Sequence, residues 1–548
     1  AHKGTLPAKF SAMTNLQPDR AERRRILVLL ALCGFLFLFQ LGSRALWDHD
    51  EGIHAAMARN MVVTGDWVTP SFNGEAFFDK PILFNWIGAA SFALLGFTEL
   101  AARLPAALLG LACVAVTYLL GKRMFGSSVG FLGALVLATS GLFMVLARSV
   151  QYDMVLTFFT TLSLFLFYSG VVDEKHRRRY FLLFYVAAAF AVLAKGPLGL
   201  VIPALVIGPY LLLTRQLRLL REMQIGWGAL IVLAIASPWY LLMGARNEEY
   251  FSHFFLGQNL GYFLSAESRH PEPFYFYLLL LPGLLFPWTG FLPLAIYRPL
   301  RDRQARSQGP IRFLLIWVIV IFFFFSLAVS KLETYLLPLF PAAALLIALL
   351  WEELLTTRHQ GLRRGLIWFH LPIVGLSLAA VGYVWLFPPL EKSLRYGIDQ
   401  AVLFAFVLPI AVFLTASLWF LWSRRYAACL AALVGVMVAG LVVFTTIFAP
   451  ATDPYRSTKD LALKLDPRLP PGEEIVFFSR LRDSALFYTG RGAVVFRDPQ
   501  ELDRYFADQE RAFCLVEDRY LSKLDEIADR FTIVEKVGNK TLLSNEAD

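Results

Sequence analysis

Long apolar runs separated by short polar breaks dominate the chain, and no extended stretch shows the strict alternation of a half-buried strand until after Pro450. Runs of about 17–25 residues, long enough to cross a bilayer, begin at Ile26, Pro81, Ala101, Val129, Asp153, Tyr180, Leu198, Ile225, Phe274, Phe313, Tyr335, Leu366, Val402 and Ala427. This gives about fourteen candidates by the window rule. Past Pro450, short strand-like runs (Ile475 to Phe478, Ala493 to Phe496, Ala512 to Val516, Phe531 to Val537) alternate with charged helical stretches. That pattern predicts a small soluble α/β layer domain.

Composition agrees with a membrane protein. Of 548 residues, 57% are hydrophobic and 17% charged, with a mean hydropathy of +0.57, outside the range of soluble globular domains. The net charge of +9 lies in short runs between apolar stretches, which argues for loop topology and against a nucleic-acid surface. Four scattered cysteines (Cys33, Cys113, Cys429, Cys514) encode neither a zinc ribbon nor a disulfide framework. Residues 1 to about 20 are polar, show no cleavable signal pattern, and are left out of the fold argument.

The basic runs choose the side. If Pro81 to Phe97 lies in the interface instead of crossing, the basic loops all fall on one side. These are Lys122 and Arg123; Lys175 with Arg177 to Arg179; Arg215 to Arg221; Arg298 to Arg312; Arg358 to Arg364; and Arg424 with Arg425. The expectation is about thirteen spans with a cytoplasmic N-terminus and an external C-terminus. The predicted fold is therefore an all-α polytopic domain over residues 1–450, with juxtamembrane helices in a first external loop at about 44–100, followed by an external α/β domain over 451–548. That second domain has no Gly-rich phosphate loop and is expected to pack or dock rather than to catalyse.

The first external loop reads Trp47-Asp48-His49-Asp50-Glu51-Gly52-Ile53-His54, continuing to Arg59. So many carboxylates and imidazoles at a membrane surface are costly unless paired or bound. If Asp50 caps the following helix, His54 lies near it one turn on, with Asp48 in the preceding turn. Such a cluster can hold a metal, accept hydrogen bonds from a sugar, act as a base, or simply cap the helix. Asp48, Asp50, Glu51 and His54 show no spacing specific to one ion, so a divalent metal, with Asp50, His54 and Asp79 as its candidate ligands, stays an open expectation. Lys80 is placed either to snorkel to headgroups or to grip a lipid phosphate. Asp153, at the outer entrance of a span, is a second candidate acid. Arg246, Glu248, Glu249, Arg269 and His270, with Lys331, Glu333 and Tyr335 from another loop, suit an amphiphile with an anionic head.

These residues resemble a known family. Asp50-Glu51, Gly65-Asp66-Trp67, Phe78-Asp79-Lys80-Pro81, Arg103-Leu104-Pro105, Asp153 and Lys331-Leu332-Glu333-Thr334-Tyr335-Leu336-Leu337-Pro338 look like the polyprenyl-phosphate-dependent GT-C glycosyltransferases. Ser237-Pro238-Trp239-Tyr240 and Pro287-Trp288-Thr289-Gly290 make the chain most similar to the lipid A 4-amino-4-deoxy-L-arabinose transferases, the ArnT family. The resemblance implies a donor of undecaprenyl phosphate carrying aminoarabinose, a lipid A phosphate as acceptor, a Gram-negative inner membrane with the site and the C-terminal domain periplasmic, and resistance to polymyxin and cationic antimicrobial peptides. It implies Asp50, Glu51 and Asp153 as catalytic acids and Lys80 beside the carrier phosphate, with Arg59, Arg269, Lys331 and Tyr335 as further candidates. Asp79 stands where some relatives carry Glu.

A lipid A phosphate is already anionic and needs no base. The expected role of Asp50 and Asp153 is therefore to orient acceptor or donor amine, directly or through a metal, while Lys80 and an arginine stabilise the departing carrier phosphate in an inverting displacement. A protein O-mannosyltransferase would use the same acids on a hydroxyl, with Asp50 as base. A transporter or lipid flippase would explain the spans, but no internal repeat is visible and ionisable residues gather at the outer ends of spans.

Overall fold

The computed structural model describes residues 19–254, 270–357 and 360–545. Arg269, Arg358 and the polar stretch 1–18 lie outside the described residues. Helices α1 (Arg20–Leu38), α2 (Asp50–Thr64), α3 (Leu83–Leu95), α4 (Glu99–Phe125), α5 (Ser127–Ala138), α6 (Gly141–Leu146), α7 (Asp153–Val172), α8 (Arg177–Lys195) and α9 (Leu198–Leu213) open the chain, and a mixed sheet closes it.

Among the described residues, eight helices are long and apolar enough to cross a membrane, including α4, α7, Glu333–Thr357 and Tyr426–Arg456. Phe276–Leu284 and Trp288–Arg301 form a further pair bent by 115°. The chain is thus a multi-pass membrane protein. The Glu333–Thr357 helix is buried along most of its length, whereas Gln360–Leu386 and Gln400–Trp422 leave most of their apolar side chains uncovered, as expected of helices solvated by lipid. α3 has 13 residues, about 20 Å of helix and too short for the hydrocarbon core. It packs on α2 and α4, in keeping with the expected interfacial position of Pro81 to Phe97.

In the basic loops Lys122 pairs with Glu22, Arg123 with Asp173, Arg177 with Glu222 and Arg298 with Glu353. All four cysteines are buried and unbridged.

β1 (Ser71–Phe72) and β2 (Glu75–Ala76) form a short hairpin in the first loop, and the C-terminal sheet has the order β4 (Ala493–Phe496), β3 (Ile475–Phe478), β5 (Phe513–Glu517), β7 (Lys540–Ser544), β6 (Thr532–Val537). β3 pairs in parallel with β4 and β5, while β7 runs antiparallel between β5 and β6. Four strands match the sequence expectation within a residue or two. β7 does not, because Lys540-Thr541-Leu542-Leu543-Ser544 is buried on both faces and so carries no alternation.

Candidate functional site

Glu51 organises the first loop. Its side chain is buried, and both oxygens are taken by guanidiniums: Arg44 donates at 2.8 and 2.9 Å, and Arg103 of α4 at 2.9 and 2.8 Å. Arg103 also donates to the carbonyls of Leu41, Arg44 and Ala45, while the Val150 amide lies 3.4 Å from Glu51 Oε1. Burial alone would raise this carboxyl; the charges and hydrogen bonds of Arg103 and Arg44 instead hold it down to about 2. The sequence reading grouped Glu51 with the catalytic acids. Its oxygens are saturated, and it ties the loop before α2 to α4 and to the turn before Asp153.

Asp50 begins α2 and does not cap it. The N-cap is His49, at φ 74° and ψ −102°, with no side-chain cap bond, a backbone state that costs about 1–3 kcal/mol for a residue with a Cβ. Contacts from the C-terminal region hold it there: the His49 amide donates to Asp483, and Asp48, expected in a free turn, accepts from the Ser484 amide at 3.0 Å and its hydroxyl at 2.6 Å. Gly52 permits this approach, since a Cβ there would lie 2.7 Å from the Ser484 nitrogen.

Freed from capping, Asp50 faces Gln151, whose Nε2 donates to it at 3.0 Å. Burial raises its carboxyl above the ordinary range; His49 opposes this, and the nearby Asp153, Glu333 and Glu51 carboxylates add to it. Three acids from distant segments, Asp50, Asp153 and Glu333, therefore share one neighbourhood. Asp153, at the start of α7, is paired with Lys195 at the end of α8, Nζ to Oδ1 2.6 Å, and the same ammonium lies 4.5 Å from the Tyr335 ring centroid. Lys195 is a site residue that the sequence alone does not single out; a lone lysine at the end of an apolar run was the available signal.

His54 lies one turn beyond Asp50, edge-on to Tyr152 and Phe84, with Nδ1 buried and unpartnered. Burial, helped by the Lys80 charge and opposed by Asp153, pushes its imidazole down to about 3. Lys80 is therefore near His54, and its Nζ donates to the Asp79 carbonyl at 3.1 Å.

Other candidates point elsewhere. Arg59 donates to the Leu486 and Phe487 carbonyls, bracing the C-terminal region. Lys331 is buried against the carbonyls of Glu272 and Ala328. Asp79 meets His253 at 3.4 Å. Among the described residues no three His, Cys, Asp or Glu side chains are grouped to hold a metal ion, so Asp50, His54 and Asp79 are not brought together.

Beside Asp50 opens a cavity of about 1480 Å³ between the bundle and the sheet. One part is apolar, with Leu142, Met144, Phe406, Ile410, Val436 and Phe444; the other carries arginines from both regions. The sequence could not show this, because the lining converges from segments hundreds of residues apart.

Comparisons with known proteins agree with this architecture. Residues 79–241 match the family model of dolichyl-phosphate-mannose-protein mannosyltransferase. The undecaprenyl phosphate-α-4-amino-4-deoxy-L-arabinose arabinosyl transferase of Pseudomonas aeruginosa LESB58 is 32% identical over 423 residues, 75% of this chain and 74% of that protein. The Aeromonas hydrophila transferase of the same name is 33% identical over 328 residues, 57% of each chain. In fold, the chain is similar to the crystal structure of ArnT from Cupriavidus metallidurans bound to undecaprenyl phosphate, with a TM-score of 0.79 and 23% identity, covering 95% of this chain and 98% of that one. It is more distantly similar to the oligosaccharyltransferase AglB of Archaeoglobus fulgidus, with a TM-score of 0.55 and 12% identity, covering 92% and 70%.

Proposed function

Because the chain belongs to the family of undecaprenyl phosphate-α-4-amino-4-deoxy-L-arabinose arabinosyl transferases, we propose that it transfers 4-amino-4-deoxy-L-arabinose from undecaprenyl phosphate to a phosphate of lipid A, conferring resistance to polymyxin and cationic antimicrobial peptides. The observation that carries this reading is the gathering of Asp50, Asp153 and Glu333, with Lys195 paired to Asp153, beside an amphiphilic cavity that Asp50 and Glu333 line. A sugar bearing a cationic amine matches Asp50, Asp153 and Glu333, while its phosphate leaving group matches Lys80 and Lys195.

In this mechanism an oxygen of the lipid A phosphate attacks the anomeric carbon. The bond from that carbon to the carrier phosphate breaks, its electron pair leaves on undecaprenyl phosphate, and the configuration inverts. The nucleophile is already an anion, so Asp50 and Asp153 position donor and acceptor. Glu51, fixed by two arginines, anchors the start of the helix that carries Asp50.

We read about thirteen spans here: the eight long apolar helices, the bent pair, and α1, α5, α8 and α9. Residues 1–450 form the membrane catalytic domain and 451–548 a periplasmic domain. With the basic loops cytoplasmic, Asp50, the cavity and the sheet face the periplasm of a Gram-negative inner membrane.

The test is mass spectrometry of lipid A from cells with the chain, without it, and with Asp50→Asn. Aminoarabinose on lipid A only with the unmodified chain is the expected result; unmodified lipid A in all three overturns the reading. The mannosyltransferase match over residues 79–241 supports a second reading, a hydroxyl acceptor with Asp50 as base. That reading requires a sugar on protein and an acid limb in the pH–rate profile that Asp50→Asn removes.

A further inference from the structure

Seven arginines line the cavity beside Asp50, and their partners divide them into two groups. Arg44 is held by Glu51, Arg482 by Asp48 and Glu517, Arg519 by Glu517, and Arg395 by Glu391. Arg148 spends both terminal nitrogens on the carbonyls of Leu36 and Phe39. Arg395 meets only an exposed neighbour one turn away; the other four are committed to the fold.

Arg456 and Arg480 are not. The Arg456 guanidinium lies 4.4 Å from the Trp47 ring centroid and 5.8 Å from that of Tyr396, a stack that fixes its plane. Among the described residues it donates no hydrogen bond, and its Nε is buried without an acceptor. A buried donor left without an acceptor is costly, and an incoming anion would relieve it. Arg480 is exposed, and its side chain makes one hydrogen bond among the described residues, Nη2 to His49 Nε2 at 2.6 Å; neither arginine forms an ion pair among the described residues, although the charge of Asp453 acts on Arg456. The two therefore sit against Trp47 and His49, on the loop that delivers Asp50.

We propose that Arg456 and Arg480 are the specificity-determining residues for the acceptor, each taking a separate anionic group of a polyanionic lipid head while the apolar wall takes its chains. The assignment rests on the transferase reading above. Arg456 offers a preorganised fork suited to bidentate phosphate binding. Arg480 follows β3, so the sheet region reads the acceptor as well as bracing the loop.

The test uses the full-length protein in detergent, an undecaprenyl-phosphate-linked aminoarabinose donor, and bisphosphorylated or monophosphorylated lipid A as acceptor. Arg456→Gln and Arg480→Gln are each expected to raise the acceptor KM about tenfold, the scale of one lost charged contact, with donor KM unmoved. Arg456→Lys is expected to resemble Arg456→Gln, because an ammonium keeps the charge but not the fork. Monophosphorylated acceptor should show a raised KM with the unmodified protein, and one of the two substitutions should add nothing further to it. Unchanged acceptor KM in Arg480→Gln, whose exposed side chain the fold does not need, overturns the inference. Transfer to neither lipid by the unmodified protein overturns instead the reading on which it rests.

Discussion

Lys195 and Asp153 form an ion pair of 2.6 Å across the ends of two helices, with the lysine 8% and the acid 13% exposed. The face of Tyr335 closes over the ammonium. A pair so secluded holds its geometry before substrate arrives, and Asp153 is thereby aimed at the acids of the neighbouring loop.

Removing the cation should disable the site. Lys195→Met is expected to lower kcat about 100-fold or more, since it leaves a buried carboxylate uncompensated. Lys195→Arg, which keeps the charge, should recover part of the loss in a transfer assay with purified protein. Equal activity in all three proteins would contradict the positioning role.

Glu51 makes a pH prediction. Its carboxyl is lowered from 4.5 to about 2, so the folded state binds its proton more weakly than the unfolded chain. The stabilisation is complete above pH 4.5 and is lost as pH falls from there towards 2. Glu51→Gln should cost about 3–5 kcal/mol at neutral pH and flatten the acid limb of a stability–pH curve followed by thermal unfolding in detergent.

Lys540 predicts the opposite slope. Burial, opposed by the Asp48 charge, lowers its ammonium to about 8. The cost of burying the charge is full below pH 8 and is relieved as pH rises from 8 towards 10.5. Unfolding measurements should show stability gaining over that window, and Lys540→Met should remove this gain.

Gly52→Ala tests the join between the two regions. A Cβ 2.7 Å from the Ser484 nitrogen forces helix and loop apart, at about 1–3 kcal/mol of overpacking. Transfer should fall, and the C-terminal region should become more sensitive to limited proteolysis than in the unmodified protein.

Much of this was legible in the sequence. The long apolar spans and four of the five strands follow from apolar patterning, and Asp50, Asp153 and Lys80 stood out as charges at membrane boundaries. Glu51 misled because a carboxylate beside Asp50 reads as a second acid until Arg44 and Arg103 are seen to claim it. Asp48 lies in the turn before α2, as expected, but its partner Ser484 is 436 residues away and out of reach of any local pattern. Arg59 and Lys331 look like phosphate ligands by charge and side, yet Lys331 donates to two carbonyls and Arg59 turns its Nη1 to the carbonyls of Leu486 and Phe487. The cavity arginines were invisible as a set because no local spacing marks residues that meet only through tertiary packing.

The clasp of Asp48 and His49 by Ser484 and Asp483 also bears on the order of events during synthesis. The catalytic loop leaves the ribosome about 20–90 s before the segment that clamps it, at ordinary elongation rates. Until that segment has folded, nothing holds His49 in its left-handed state, and Asp50 is free to cap its own helix. Nascent or truncated chains would thus reach the membrane without a competent site, and activity would begin only when the last strands have closed on the first loop.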